Sequence, residues 1–249
     1  GRRARAPGPE RAAPVSSSAR TLFRAVHGRL PAPVRRLRMR LVPGSAGSWG
    51  WEARSEANAE LYWESTDRPH RAPLLEHLAS FSGAATFLEL GSSAGPNLRL
   101  AAERFPEARL SGFDIDAMAI AYGQARFDEL HPGRVTLRAG RIGALVAGLP
   151  DRSEDVVFSA YARAYLSPRE LPKVLRDAIR VARAGLVLAE PQAVAGYPAG
   201  LTKDTPEWRH DYARVLEDLG LDRAAMLIDD ADPDSDFATL VARLAPDAR

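Results

Sequence analysis

The sequence predicts an α/β fold: a doubly wound, mostly parallel sheet of seven strands with an antiparallel last strand, preceded by an N-terminal helical extension. Five short apolar runs alternate with helical patterns between residues 84 and 190, and strands separated by helices favour right-handed crossovers in a parallel sheet. Two further apolar runs, 224–228 and 237–244, are joined only by a short acidic stretch that is too brief for a crossover helix. The last two strands are therefore expected to be antiparallel.

The composition is that of a soluble globular chain, with 45% of the 249 residues hydrophobic and 27% charged. No apolar run approaches the roughly 20 residues of a transmembrane helix, so we expect no membrane span and a cytoplasmic protein. The chain has no cysteine, which excludes disulfides, thiolate nucleophiles and cysteine-based zinc sites, and no metal site is predicted. Homo-oligomerisation is left open.

Charge is unevenly distributed along the chain. Residues 1–40 contain eleven arginines and one acid, whereas the rest of the chain has 23 basic and 31 acidic residues. Because a nucleic-acid site needs a basic surface to neutralise phosphates, the acidic body argues against a nucleic-acid substrate.

Three segments are expected. Residues 1–20, rich in Arg, Ala, Pro and Ser without periodicity, form a flexible basic leader, with an organelle transit peptide as the alternative. Residues 21–68 form a helical and aromatic cap segment, in which three of the four tryptophans fall between residues 49 and 63. That aromatic density indicates either packing on the core or the wall of a ligand pocket, and the second interpretation makes Trp63 a substrate-binding candidate. Residues 69–249 form the α/β domain.

The elements of this domain follow in order. An amphipathic helix is expected from about residue 67 to 81, with Pro69 near its start. Strands are predicted at 84–90, 109–115, 134–138, 154–159 and 185–190, and helices at 96–105, 116–130, 142–147 and 168–183. A loop rich in Pro and Gly and a helix at 207–219 precede the final antiparallel pair.

Residues 86–97 predict a strand, a tight turn and the start of a helix. Gly91 and Gly95 bracket small residues, which lets backbone N–H groups approach a ligand closely. Glu89 is an acid inside an otherwise apolar strand, where a core would not place it. Because ligands of open parallel sheets bind beyond the carboxyl ends of the strands, this turn is the expected ligand site.

A second acid supports a nucleoside ligand. Asp114 ends the second strand, where a carboxylate accepts hydrogen bonds from ribose hydroxyls, and the adjacent Ile115 can pack on an adenine face. A nicotinamide dinucleotide turn would prefer Gly-x-Gly-x-x-Gly, and Ser93 occupies its middle glycine position. Ser93 and the early Glu89 therefore argue against that cofactor.

These motifs resemble those of class I S-adenosylmethionine-dependent methyltransferases, over about residues 71–244. Residues 89–95 resemble the first family motif, with Ser93 departing from it, and residues 112–116 resemble the second. Residues 149–157 are similar to the approach to the fourth strand, and the antiparallel last strand matches the family's sheet. Residues 62–65 and 69–71 also resemble the segment before the first motif in bacterial enzymes of unassigned substrate.

The resemblance implies S-adenosyl-L-methionine as the cofactor and a set of contacts to it. It implies that Glu89 lies near the ammonium group, Asp114 on the ribose and Ile115 against adenine. Arg71 pairs with the cofactor carboxylate or is a surface arginine. The family's acid after the third strand is missing, so the contact to the adenine amine falls to backbone groups of residues 140–142, among them Arg141 and Ile142. The remaining cofactor candidates are Gly91, Ser92, Ser93, Gly95, Asn97 and Ser159.

The implied reaction is methyl transfer to a small-molecule acceptor, a peptide or natural product included. His70 is the first candidate for a general base and His210 the second, and each has the alternative of a packed or solvated histidine. Tyr161 and Tyr165 follow the fourth strand and are expected to contact the acceptor. No Asn/Asp-Pro-Pro-aromatic signature of nucleic-acid or amide N-methylation is present. The alternatives are a non-catalytic, nucleoside-fold binding module and, third, a nicotinamide-dependent oxidoreductase.

Overall fold

A computed structural model describes residues 56–162, 164, 166–201, 207–230 and 236–245. The predicted leader and residues 21–55 of the predicted cap segment, with the tryptophans at 49 and 51, lie outside these residues. Tyr165 also lies outside them.

The described elements alternate along the chain as the sequence predicts. The helices are α1 (Glu56–Glu64), α2 (Arg71–Ala79), α3 (Pro96–Arg104), α4 (Ala117–Leu130), α5 (Ile142–Ala147), α6 (Leu171–Val181) and α7 (Tyr212–Asp218). The strands are β1 (Thr86–Leu90), β2 (Arg109–Asp114), β3 (Val135–Ala139), β4 (Glu154–Ala160), β5 (Ala182–Pro191), β6 (Gly200–Leu201), β7 (Trp208–Arg209), β8 (Met226–Asp229) and β9 (Phe237–Arg243).

Seven strands form one sheet in the order β3-β2-β1-β4-β5-β9-β8. Strands β1 to β5 pair in parallel, and β9 is antiparallel to both β5 and β8. This confirms the predicted doubly wound sheet with an antiparallel last strand. The chain runs outward from β1 on one side and from β4 on the other, so the direction of winding changes between these two strands. Ligands of such sheets bind at that crevice.

The sheet is covered on both faces by helices. One core cluster joins Phe87 and Phe158 of the sheet to buried residues of α1 to α4, among them Phe127. The other joins Leu88 and Val157 to α5, α6 and α7. Because β1 contributes to both clusters, all five of its residues are buried, and Glu89 lies in the centre of the domain.

The last third of the chain differs in detail from the prediction. The predicted 207–219 helix is divided: residues 208–209 form β7, which pairs with β6, and the helix begins only at Tyr212. Asp211 fixes that start because its side chain accepts a hydrogen bond from the backbone N–H of Arg214. Similarly, the predicted 224–228 strand begins at Met226, after a short 3₁₀ turn that Asp222 caps.

Candidate active site

A cavity of about 860 Å³ lies beyond the carboxyl ends of β1, β2, β3 and β4. Its walls come from the turns that follow these strands, from the segment before α2 and from α5 and α6. The lining residues singled out in the sequence are His70, Arg71, Gly91, Ser92, Ser93, Asn97, Asp114, Ile115, Arg141, Ile142 and Tyr161.

The turn after β1 is built from three residues in the left-handed backbone region: Gly91 (φ 90°), Ser93 (φ 49°) and Gly95 (φ 92°). A Cβ at Gly91 would overlap the Cβ of Ala162, and a Cβ at Gly95 would lie 2.6 Å from the ring of Phe127. Glycine is therefore required at both positions for space as well as for conformation. Gly95 supports the turn from behind and does not line the cavity.

Asp114 joins the turn to the end of β2. Its Oδ2 accepts a hydrogen bond of 2.7 Å from the backbone N–H of Ser93, and its Oδ1 accepts one of 2.9 Å from Asp116. Burial raises the pKa of Asp114, against the effect of these backbone donors. The first bond explains how Ser93 holds a left-handed conformation without being glycine. Each carboxylate oxygen keeps a second lone pair, so Asp114 can still accept from ligand hydroxyls.

Glu89 is fully buried behind Asn97, whose Nδ2 donates a hydrogen bond of 2.6 Å to Oε1 of Glu89. Burial raises the pKa of Glu89 to about 8, opposed by the Asn97 bond and by the charge of Arg71. Oε2 of Glu89 and Oδ1 of Asn97 have no hydrogen-bond partner in the described part of the chain. Asn97 lines the cavity and Glu89 does not.

Arg71 supplies hydrogen-bond donors without a described partner, where Glu89 and Asn97 supply acceptors. This buried arginine donates from Nη2 to Ser65 Oγ at 3.3 Å, while its Nε and Nη1 have no partner among the described residues. The cavity is thus lined by Arg71, with donors that have no described partner, and by Asn97, whose Oδ1 has no described partner and behind which Glu89 is buried. These groups fit an amino-acid zwitterion, because a carboxylate accepts from the first and an ammonium donates to the second. The methionyl end of S-adenosylmethionine is such a zwitterion.

Three aromatic rings form a cluster beside the cavity, and two of them, His70 and Tyr161, line it. The ring centroids of His70 and Phe237 are 5.1 Å apart, those of Tyr161 and Phe237 are 5.3 Å apart, and those of His70 and Tyr161 are 6.0 Å apart. Tyr161 has a φ of 57°, which is rare for an aromatic residue and is held here directly after β4. Burial, with the charges of Arg71 and Arg68, lowers the pKa of His70 to about 4, so its ring is neutral at pH 7.

Two of the predicted acceptor residues lie elsewhere. Trp63 is only 3% exposed and packs edge-to-face on Phe127 at 4.9 Å, so the interpretation of Trp63 as a pocket wall is wrong and the packing interpretation is right. His210 is only 6% exposed, its Nε2 donates to the carbonyl oxygen of Leu166 at 3.0 Å, and it does not line the cavity. The general-base interpretation of His210 is therefore wrong as well.

Ser159 is fully buried and supports the site indirectly. Its hydroxyl donates a hydrogen bond of 2.6 Å to Oε1 of Glu190, which also accepts one of 3.2 Å from the backbone N–H of Ala162. Glu190 thereby fixes the turn that places Tyr161 in the cavity. Ser159 does not line the cavity, whereas the next residue of β4, Ala160, does.

Sequence reasoning missed several lining residues. Tyr62 and Arg68 line the cavity, as do Glu170, Lys173 and Asp177 of α6 and the turn before it. Arg68 lies two residues before His70 and three before Arg71 in the sequence, and this proximity to two predicted site residues could have identified it. The α6 residues carry no such signal, because isolated charges on a helix are ordinarily solvent-facing.

None of the described helices is long and apolar enough to cross a membrane. The described residues also bring together no group of three His, Cys, Asp or Glu side chains that could hold a metal ion.

Comparison with known proteins finds similarity to methyltransferases. Residues 87–185 match the family described as "Methyltransferase domain". The chain is 33% identical over 119 residues to the "Probable methyltransferase ltbC" of Aspergillus luteorubrus, covering 45% of this chain and 36% of that protein. The chain spans less than two thirds of the length of the curated relatives it matches.

Two solved structures share the fold. An O-methyltransferase family protein from Burkholderia thailandensis superposes with a TM-score of 0.63 at 16% identity, covering 92% of this chain and 69% of that one. A SAM dependent methyltransferase from Aquifex aeolicus superposes with a TM-score of 0.54 at 17% identity, covering 78% of this chain and 100% of that one. Residues 87–185 therefore match a methyltransferase domain, and the chain has the class I fold of S-adenosylmethionine-dependent methyltransferases. This confirms the fold class predicted from the sequence and supports the predicted family and cofactor.

Proposed function

We propose that the protein catalyses S-adenosylmethionine-dependent methyl transfer to a small-molecule acceptor by in-line displacement. One observation carries the proposal: Arg71, whose Nε and Nη1 have no partner among the described residues, and Asn97, whose Oδ1 has none there either, line one cavity together with Asp114, and Glu89 lies directly behind Asn97. A ligand with a zwitterionic end and a ribose matches both groups. A nicotinamide dinucleotide, which has a pyrophosphate in place of the zwitterion, matches only Asp114.

Each residue then has a role. The guanidinium of Arg71 binds the carboxylate, and Oδ1 of Asn97 accepts from the ammonium group with Glu89 behind it. Asp114 accepts from the ribose hydroxyls. Ile115 and Ile142 pack against the adenine ring, and Gly91 leaves room for the ligand beside the turn. Arg141 lines the same end of the cavity.

When bound, S-adenosylmethionine supplies a methyl group on a positively charged sulfur, which is already activated for transfer. The protein therefore has mainly to hold the acceptor in line with that methyl group, an orientation effect worth up to roughly 7–11 kcal/mol. We call the part of the cavity that His70 and Tyr161 line the acceptor end, and both side chains can position the acceptor by hydrogen bonding.

Several further predictions belong to this proposal. The acceptor is a small molecule rather than a nucleic acid, the protein acts in the cytoplasm, and homo-oligomerisation stays open. The division into residues 1–20, 21–68 and 69–249 also stays a prediction, as does the contact of Tyr165 with the acceptor. The second candidate function is a binding module that keeps the cofactor site without catalysis.

Calorimetry with S-adenosylmethionine and S-adenosylhomocysteine tests the cofactor site. Loss of a charge-assisted hydrogen bond costs about 1.5–3 kcal/mol, so Asp114→Ala should weaken binding about 10- to 100-fold. Asp128→Ala, which removes an exposed acid of α4, is the matched control and should bind like the wild type. The proposal is wrong if neither ligand binds at high micromolar concentration, or if Asp114→Ala leaves their binding unchanged. Binding without methylated product across a broad acceptor screen would favour the non-catalytic module.

A further inference from the structure

The acceptor end of the cavity has an aromatic wall. His70 precedes α2, Tyr161 follows β4 and Phe237 begins β9, and their rings form the cluster described above. His70 and Tyr161 line the cavity, and Tyr161 remains 43% exposed. Stacking on such rings favours a flat aromatic ligand over a flexible aliphatic one.

Beside these rings the cavity is positively charged. Arg68 lines the cavity, and its guanidinium has no hydrogen bond or ion pair with any described residue. The charge of Arg68 contributes to the pKa shifts of His70, Arg71 and Tyr161, so Arg68 lies near all three residues. Because Arg71 is assigned to the cofactor carboxylate, Arg68 is the guanidinium near the rings that is available to the acceptor. Such a site attracts an anion and repels an ammonium group.

Three acids, Glu190, Glu207 and Asp236, act electrostatically on Tyr161, and none of them lines the cavity. Asp67 and Glu89 act on Arg71, and they do not line the cavity either. Asp236 is paired with Arg209 at 2.6 Å, and Glu190 accepts from Ser159 and Ala162.

Each acid that lines the described cavity already accepts hydrogen bonds from the protein, and Asp114 is assigned to the cofactor ribose. Asp114 accepts from two backbone N–H groups, Glu170 accepts from both the N–H and the hydroxyl of Ser167, and Asp177 is paired with Arg180. His70 has a pKa of about 4, too low for a base that must take a proton from an alcohol at pH 7. An acceptor that is already an anion needs no base.

We propose that the acceptor is an aromatic compound whose reacting oxygen is already ionised, a carboxylate or an acidic phenol, and that Arg68 binds this anion. The inference rests on the proposed methyl transfer. A lone pair of the acceptor oxygen forms the new O–C bond to the methyl group, the C–S bond breaks and its electron pair stays on sulfur. The negative oxygen and the positive sulfur are both neutralised, and no proton leaves.

The test compares four small aromatic probes for binding to the full chain saturated with S-adenosylhomocysteine at pH 8, by calorimetry. Benzoate and 4-nitrophenol are anionic there, 4-methylphenol is neutral and benzylamine is cationic. We expect at least one anionic probe to bind at least about tenfold more tightly than the neutral and cationic probes. Arg68→Ala and Arg68→Gln should each remove that preference, whereas Arg126→Ala, which removes an exposed arginine of α4, should keep it.

The outcomes separate this inference from the proposed function. If S-adenosylhomocysteine itself does not bind, the proposed function fails. If it binds but no anionic probe is preferred, or the preference survives both Arg68 variants, the acceptor inference is overturned and methyl transfer stands. A preference for benzoate alone identifies a carboxylate, and one for 4-nitrophenol alone identifies an acidic phenol. With S-adenosylmethionine, the preferred probe should be methylated without release of a proton into a weakly buffered solution.

Discussion

Asn97 donates a hydrogen bond of 2.6 Å to Glu89, so that a side chain from the first turn of α3 covers the one acid inside the central strand. This bond satisfies Oε1 of Glu89 and leaves Oε2 without a partner among the described residues. Because the carboxyl group is fully buried, its pKa is raised to about 8. Glu89 is therefore mostly protonated at pH 7 in the free protein.

The buried carboxyl should destabilise the protein at alkaline pH. The folded pKa of Glu89 is about 8 and the unfolded value is 4.5, so between these values the folded state holds more protons and stability falls as pH rises. Glu89→Gln resembles the protonated acid. It should match the wild type near pH 4.5 and exceed its stability at pH 8.5 by on the order of 1–4 kcal/mol. Urea denaturation at the two pH values measures the difference.

Glu103→Gln is the control for that experiment, because Glu103 is an exposed acid of the same helix as Asn97. Its stability should follow the wild type at both pH values. A Glu89→Gln variant that gained nothing at pH 8.5 would mean that Glu89 is ionised in the folded protein, against the raised pKa.

Cofactor binding should be coupled to the same proton. An ammonium group near Glu89 favours the ionised carboxylate, so binding to the protonated free protein should release a proton. Affinity should then rise with pH toward 8, by up to about tenfold per pH unit. Calorimetry in two buffers of different ionisation enthalpy counts the released proton. Glu89→Gln should lack this contribution, and the difference between the two proteins removes the titration of the ligand's own amino group. Identical proton release in both would contradict the coupling.

The turn after β1 predicts that steric room, in addition to backbone conformation, selects glycine at position 91. Gly91 and Gly83 have nearly the same conformation, with φ of 90° and 81°. A Cβ at Gly83 meets nothing within 4 Å, whereas one at Gly91 overlaps Ala162. Gly83→Ala should cost only the left-handed penalty of about 1–2 kcal/mol. Gly91→Ala should cost more and should weaken S-adenosylhomocysteine binding at least about tenfold, because it displaces the turn that carries Tyr161. Equal losses of stability and unchanged binding in both variants would show that conformation alone selects glycine at Gly91.

The fold and the cofactor end of the site were accessible from the sequence because their signals are local. A buried strand, a glycine turn and an acid at the next strand end follow one another within about thirty residues, and parallel strands bring their carboxyl ends to one edge. The position of Asp114 beside Ser93 follows from that rule.

The acceptor end was less accessible because its residues come from distant parts of the chain. Phe237 reaches His70 only because β9 inserts beside β5, and no local pattern predicts that contact. The direction of a side chain on a short helix is equally hard to infer. Tyr62 and Trp63 are neighbours on α1, yet Tyr62 lines the cavity and Trp63 is in the core.

The contrast between Tyr62 and Trp63 can be tested directly. Trp63 packs on Phe127, which in turn touches the position of Gly95, and the guanidinium of Arg99 lies 5.2 Å from the Trp63 ring. Trp63→Ala leaves a cavity in the core and should destabilise the protein by about 3–5 kcal/mol in urea denaturation.

Acceptor preference provides the second readout for these variants. The folded fraction of Trp63→Ala should keep the wild-type order of affinities for aromatic probes, because the ring does not line the cavity. Tyr62→Ala should lose less stability than Trp63→Ala and should bind the aromatic probes more weakly than the wild type, since Tyr62 is half-buried and lines the cavity. If Trp63→Ala instead changed the order of probe affinities while stability fell by less than about 1 kcal/mol, the Trp63 ring would have to reach the acceptor.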